Sequence, residues 1–134
     1  MKTILIVGAS ALQLPAIIRA KELGFHVATL DYNPNAIGIK YADEYFNVST
    51  TDVNSVVNVA KQLKPKGIMT LGTDMPVRSV AAATTELGLP GMSIDTAIKA
   101  TDKGKMIKVF KEHNLDIPWF YIINDKEELE SVID

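Results

Sequence analysis

Residues 1–34, MKTILIVGASALQLPAIIRAKELGFHVATLDYNP, read as strand, turn, helix, strand and an acidic strand end. Ile4 to Val7 is a continuous apolar run bounded by Gly8, the pattern of a parallel strand covered on both faces. A helix is predicted over about residues 14–23. Pro15 falls in its first turn, where a missing N–H does no harm. Ile17, Ile18, Ala20 and Leu23 supply its apolar face, and Gly24 ends it. A second strand over residues 25–30 closes on Asp31. This is the layout of a nucleotide-binding half-fold, yet the turn holds one glycine where the dinucleotide pattern G-x-G-x-x-G asks for three.

The two absent glycines each have a physical task. The second lets the backbone approach a pyrophosphate, and the third lets helix and strand pack closely. Ser10 and Gln13 stand in their places. Ser10 keeps a Cβ near any diphosphate, and Gln13 is bulky at the packing position. Asp31 stands where an acid can hold a ribose hydroxyl, although a carboxylate ending a strand is common. Three readings stay open: an NAD(P)-binding module, a Gly8 turn with only a structural role, and a small polar ligand held at Ser10 and Gln13.

The same rhythm continues. Residues 31–38, DYNPNAIG, are turn chemistry, with Asn33 and Pro34 followed by Gly38. A short third strand lies near residues 45–48. STTD at 49–52 offers N-caps for a helix over about residues 53–63, which exits at Pro65 and Gly67. A fourth strand covers residues 68–71. GTDMP at 72–76 leads into a helix over about residues 77–87 that is rich in small residues, and LPG at 89–91 reads as a short fifth strand or a crossing segment. The alternation implies right-handed crossovers and a three-layer, doubly wound, open parallel sheet of order about 3-2-1-4-5. In such sheets ligands bind at the carboxyl ends of the strands, where Ser10, Gln13, Asp31, Asn33, Thr73 and Asp74 gather.

Past residue 93 the pattern changes to two helical pieces, the second basic and amphipathic. WFYIIND at 119–125 is predicted as a strand and KEELESVID at 126–134 as the start of a charged helix. That helix reaches the last residue with no stop signal, so the sequence is expected to be cut within it. If a partner rather than a following domain covers WFYII, that stretch is expected to be an exposed apolar patch.

Composition narrows the function. The chain has 134 residues, no cysteine and a formal net charge of −2. Disulfide scaffolds, thiolate zinc sites and cysteine nucleophiles are excluded, and no electrostatic footprint points to nucleic acid or anionic membrane. No apolar run approaches the roughly 20 residues that span a bilayer, so a cytoplasmic protein is expected. Gly72 and Thr73 open a plausible anion seat before the third helix, although Thr73 or Asp74 can equally cap that helix. Lys99, Lys103, Lys105 and Lys108 form a run that is usually only a solvated face. His26 and His113 have no ligand-spaced partner, and no serine or threonine sits in a triad-like setting.

Taken in order, three segments resemble the amino-terminal, pre-ATP-grasp domain of ATP-grasp ligases running on into the start of the ATP-grasp region. They are ILIVGASALQLPAIIRAKELGFHVATLDYNPNAIGIKYAD, IMTLGTDMPVRSVAAATTELGLPG and SIDTAIKATDKGKMIKVFKEHNLDIPWF. Similar layouts occur in carbamoyl-phosphate synthase large subunits, biotin carboxylases and enzymes of purine synthesis. The likeness runs from Lys2 to about Phe120, and its specificity lies in the order and spacing of loose motifs. It departs at DIPWF, where Asp116 replaces a glycine and Trp119 a proline.

The resemblance implies a Rossmann-like domain over residues 1–92, then linker helices and the beginning of an ATP-grasp domain over residues 93–134. It implies that Lys103 reaches nucleotide phosphate at the domain junction. It also implies that Gly8, Ser10 and Gln13, with Gly72, Thr73 and Asp74, line the acceptor-substrate side, alongside Asp31 and Asn33. The turn then lacks glycines because no pyrophosphate lies on it. The implied parent, expected to be carbamoyl-phosphate-synthase-like, uses ATP and Mg2+ to activate a small carboxylate as an acyl phosphate for an amine or thiol; the metal ligands for that chemistry are expected outside this stretch. No tight cofactor binding or ligase activity is therefore expected of residues 1–134 by themselves. The partner is expected to be the missing ATP-grasp domain in cis or a separate subunit, with a homodimer also open.

Overall fold

The computed structural model describes residues 2–133. Four strands, β1 (Thr3–Val7), β2 (His26–Asp31), β3 (Glu44–Asn47) and β4 (Gly67–Met69), form one parallel sheet of order β3-β2-β1-β4. Between them run α1 (Leu14–Glu22), a 3-10 turn (Ile37–Tyr41) and α2 (Val53–Leu63). After β4 come α3 (Val77–Glu86), α4 (Ile94–Thr101), α5 (Lys103–Glu112) and α6 (Lys126–Ile133).

Alternation along the buried strands builds three layers. Leu5, Val7, Ala28 and Leu30 face one way and pack with Val56, Val59 and Ala60 of α2 and Ala83 of α3. Ile6 and Val27 face the other way, onto Ile17 and Ala20 of α1. Each fully buried Leu or Ile side chain contributes roughly 1.5–3 kcal/mol of transfer free energy, so β1 and β2 are the keel of the domain. The small residues of α3 are explained by burial: Ser79, Ala81, Ala83 and Thr84 are enclosed where α3 packs between α2 and α4. Asp52 caps α2 by accepting from the Ser55 amide at 3.1 Å, and its hydrogen bonds from Ser55 hold its carboxyl below the ordinary value. No helix among the described residues is long and apolar enough to cross a membrane.

Two expected strands are not formed. Residues 89–91 make no ladder with β4, so they are the crossing segment and not a fifth strand. Pro90 has no N–H to donate there, and the Leu89 amide is already spent on the Thr84 carbonyl at 2.9 Å. Residues 119–125 are likewise not a strand. A strand needs a neighbour to satisfy its backbone, and none of the described strands pairs with this stretch. Trp119 is 86% exposed, and Tyr121 and Ile122 are exposed beside it. No residue of α5 or α6 is buried.

Candidate functional site at the carboxyl edge of the sheet

Gly8 ends β1 with φ +104°, a conformation that side chains rarely adopt. A Cβ there would lie 2.9 Å from Cδ and Oε1 of Gln13. Gln13 is folded beneath the turn and only 2% exposed. Its Oε1 accepts from the Ser10 amide at 3.2 Å and the Ser10 hydroxyl at 2.7 Å, and its Nε2 donates to the Leu71 carbonyl after β4. The bulky residue at the third glycine position is therefore a polar strut joining the loops after β1 and β4.

Asp31 closes the other side. It is 7% exposed; Oδ2 accepts from the Ala9 amide and Oδ1 from the Asn33 amide, each at 2.9 Å. The amides of Ala9 and Ser10 are thus satisfied by protein acceptors, and the Leu12 amide donates to the Ser10 hydroxyl at 3.2 Å. A pyrophosphate resting here would have to displace those bonds. Beneath the edge, the Thr29 hydroxyl lies 2.9 Å from the carbonyls of Ile6 and Gly8, and the Thr70 hydroxyl donates to the Val7 carbonyl at 2.8 Å. The Gly38 amide donates to the Ala9 carbonyl at 2.7 Å, seating the 3-10 turn on the first loop.

After β4, Gly72 (φ +76°) passes over Leu12, with 3.0 Å left for a Cβ. Neither Thr73 nor Asp74 caps α3; Pro76 holds the N-cap position without a side-chain bond. The Thr73 hydroxyl instead accepts from the Met75 amide at 3.4 Å, and the Asp74 carbonyl accepts from the Val77 amide. Lys103 opens α5, and its Nζ lies 3.9 Å from the Asp74 carboxylate; both side chains are exposed, at 72% and 70%. Screened by solvent, such a pair is worth about 0–1 kcal/mol, so Lys103 remains available to another anion.

The edge therefore brings Gly8, Ser10, Gln13, Asp31 and Asn33 together with Gly72, and places Lys103 beside Asp74. A cleft of about 280 Å³ opens along Ser10, Asp31, Asn33 and Asn35. Lys99, Lys105 and Lys108 line a separate cleft between α4 and α5, where Lys99 pairs with Asp95 at 2.7 Å. Among the described residues no three His, Cys, Asp or Glu gather as a metal site. In the sequence, Thr29 and Thr70 carry only a faint signal, a hydroxyl inside or directly after an apolar strand.

An open parallel sheet of this order with helices on both faces is the architecture of the amino-terminal, pre-ATP-grasp part of ATP-grasp ligases. The chain has that fold. It is 27% identical over 134 residues to a formate-dependent phosphoribosylglycinamide formyltransferase of Prochlorococcus marinus (strain MIT 9515), a match covering 96% of this chain and 33% of that protein. The crystal structure of phosphoribosylglycinamide synthetase from Anaerococcus prevotii superposes with a TM-score of 0.82 at 30% identity, over 98% of this chain and 34% of that one. The N5-carboxyaminoimidazole synthetase of Staphylococcus aureus, solved with ADP, shares the fold (TM-score 0.81) at 15% identity, over 98% of this chain and 35% of that one. No family model matches the chain. The chain thus spans about a third of the length of these relatives.

Proposed function

We propose that this chain is the acceptor-substrate side of an ATP-dependent carboxylate–amine or carboxylate–thiol ligase. Residues 1–92 are the substrate-binding domain and residues 93–134 lead into the nucleotide-binding part. One observation carries the reading: Lys103 stands 3.9 Å from Asp74 at the carboxyl edge of the sheet. A phosphate-binding lysine and an acceptor loop must meet in an enzyme that transfers a phosphoryl group to a bound carboxylate.

In this reading Ser10, Asn33 and the Gly72–Asp74 loop face the acceptor, while Gln13, Asp31 and Gly8 hold those loops in place. Lys103 holds nucleotide phosphate through a charge-assisted bond. ATP and Mg2+, bound largely by residues beyond this chain, supply the phosphoryl group and neutralise its charge. The carboxylate oxygen attacks the γ-phosphorus and ADP departs; the amine nitrogen then attacks the acyl carbon and phosphate departs. The spent amides of the first turn weigh against the NAD(P) alternative. The relatives reported above give no separate support to a carbamoyl-phosphate-synthase-like parent. We place the enzyme in the cytoplasm, with the remaining domain in cis or on a partner subunit.

The test is ADP formation by the full encoded polypeptide carrying this chain, supplied with ATP, magnesium and a panel of carboxylates and amines. ADP release that requires both a carboxylate and an amine or thiol is the expected result. Its absence across the panel, together with saturable NADH binding, would overturn the reading.

A further inference from the structure

The sequence pattern leads to a sheet of five strands, and the described residues form four, with β4 at one edge. The Lys66 amide donates to the Thr3 carbonyl at 2.8 Å. Backbone groups alternate sides along a strand, so Gly67 and Met69 turn theirs to the open side. Natural edges are blunted by charged or polar side chains, and β3, the other edge, carries exposed Glu44 and Asn47. β4, Gly67–Met69, has no such guard. Beside it runs a groove of about 400 Å³ with Ile68, Val77, Val80, Thr84 and Met92 in its walls and no charged residue in its described lining.

The same chain holds a strand-forming segment with no strand beside it. Residues 119–123, WFYII, are aromatic and β-branched and carry no charge. The rings of Trp119 and Tyr121 stand 6.1 Å apart, as side chains two residues apart do on one side of an extended chain. Ile122 lies against Gly104 of α5, 3.4 Å from where a Cβ would stand. The aromatic side is bare: Trp119 is 86% exposed and Tyr121 62%.

Charge sets the direction of pairing. Lys64 and Lys66 lie just before β4, and Asp125, Glu127 and Glu128 just after the segment, all of them exposed. An antiparallel arrangement puts those acids beside the lysines, whereas a parallel one puts them beside Asp74. Within one chain the segment does not pair with β4, so a second copy supplies what each surface lacks.

We propose that two copies of this chain exchange residues 119–123, each laid antiparallel along β4 of the other as a fifth strand, with an aromatic side chain seated in the groove. The exchange is reciprocal, so it closes as a two-fold dimer and leaves neither surface open. The proposal goes beyond the ligase reading and does not rest on it.

The experiment is sedimentation of the 134-residue chain between about 1 and 500 μM, the range of a small, transient interface, with tryptophan emission read on the same samples. Trp119 is the one tryptophan, so its emission reports on the segment alone. A monomer–dimer equilibrium is expected, with a blue shift that follows the dimer fraction. Tyr121→Lys and Met92→Lys alter exposed side chains, so each should keep the fold and weaken the dimer at least about tenfold, since each buries a charge in the contact. The chain has no cysteine, which allows the direction to be read by oxidation of mixed single-cysteine variants. Ile123→Cys should cross-link to Lys66→Cys in preference to Leu71→Cys. The proposal is overturned by a monomer at every concentration, by a dimer whose Trp119 emission does not move, by a dimer that survives both lysine variants, or by preferred cross-linking to Leu71→Cys.

Discussion

Gly8→Ala is expected to be the most destabilising single-methyl change in the first loop, at about 3 kcal/mol. Positive φ in a non-glycine residue costs roughly 1–3 kcal/mol, and Gly8 sits at +104°. The added Cβ also meets the Gln13 amide carbon and oxygen at 2.9 Å. Gln13 cannot swing away cheaply, because the same amide holds the Ser10 amide, the Ser10 hydroxyl and the Leu71 carbonyl, each worth about 1 kcal/mol net. For a chain of this size the loss lowers the melting temperature by roughly 10 °C. Thermal unfolding of Gly8→Ala, Gln13→Ala and the double variant checks the mechanism. The two losses should be less than additive, because removing Gln13 also removes the clash. Strict additivity would mean that the strut is not what Gly8 accommodates.

Asp31→Ala is expected to cost about 2–4 kcal/mol and to loosen two loops at once. The carboxylate is nearly enclosed and accepts from the amides of Ala9 and Asn33. Its removal leaves both donors unpaired, at roughly 1–3 kcal/mol for each that water cannot reach. Asp31→Asn keeps one acceptor oxygen and should lose about half as much. Denaturant titration gives the stabilities, and amide exchange locates the effect: protection should fall at Ala9 and Asn33 first. Unchanged exchange there would show that Asp31 does not brace the loops.

These two residues also mark how much was legible beforehand. The βαβ rhythm and the three layers were written in Ile4 to Val7, Gly24 and the Asp31 strand end, because buried parallel strands need continuous apolar runs and helices need stops. Asp31 and Gln13 were visible as polar residues at that edge, but their direction was not. Residue type says that a carboxylate or amide will be satisfied, and only the fold says by whom. The misread elements have the same cause at longer range. Residues 119–125 have strand composition, yet a strand exists only with a neighbour, and neighbour pairing is not a property of seven residues. Thr73 and Asp74 look like helix caps, but Pro76 sets the start of α3 two or three residues later.

The most direct test of the account is the Michaelis constant for ATP of Lys103→Ala in the full encoded polypeptide, measured by ADP release beside the unaltered protein. Lys103 is exposed and, among the described residues, makes only the weak Asp74 pair, so its loss should leave folding intact. A lysine that binds nucleotide phosphate contributes about 1.5–3 kcal/mol through its charge-assisted bond. The account therefore predicts a rise of about tenfold or more in the ATP constant, with the acceptor constant changed by less than about threefold. An ATP constant left unchanged by Lys103→Ala would contradict it.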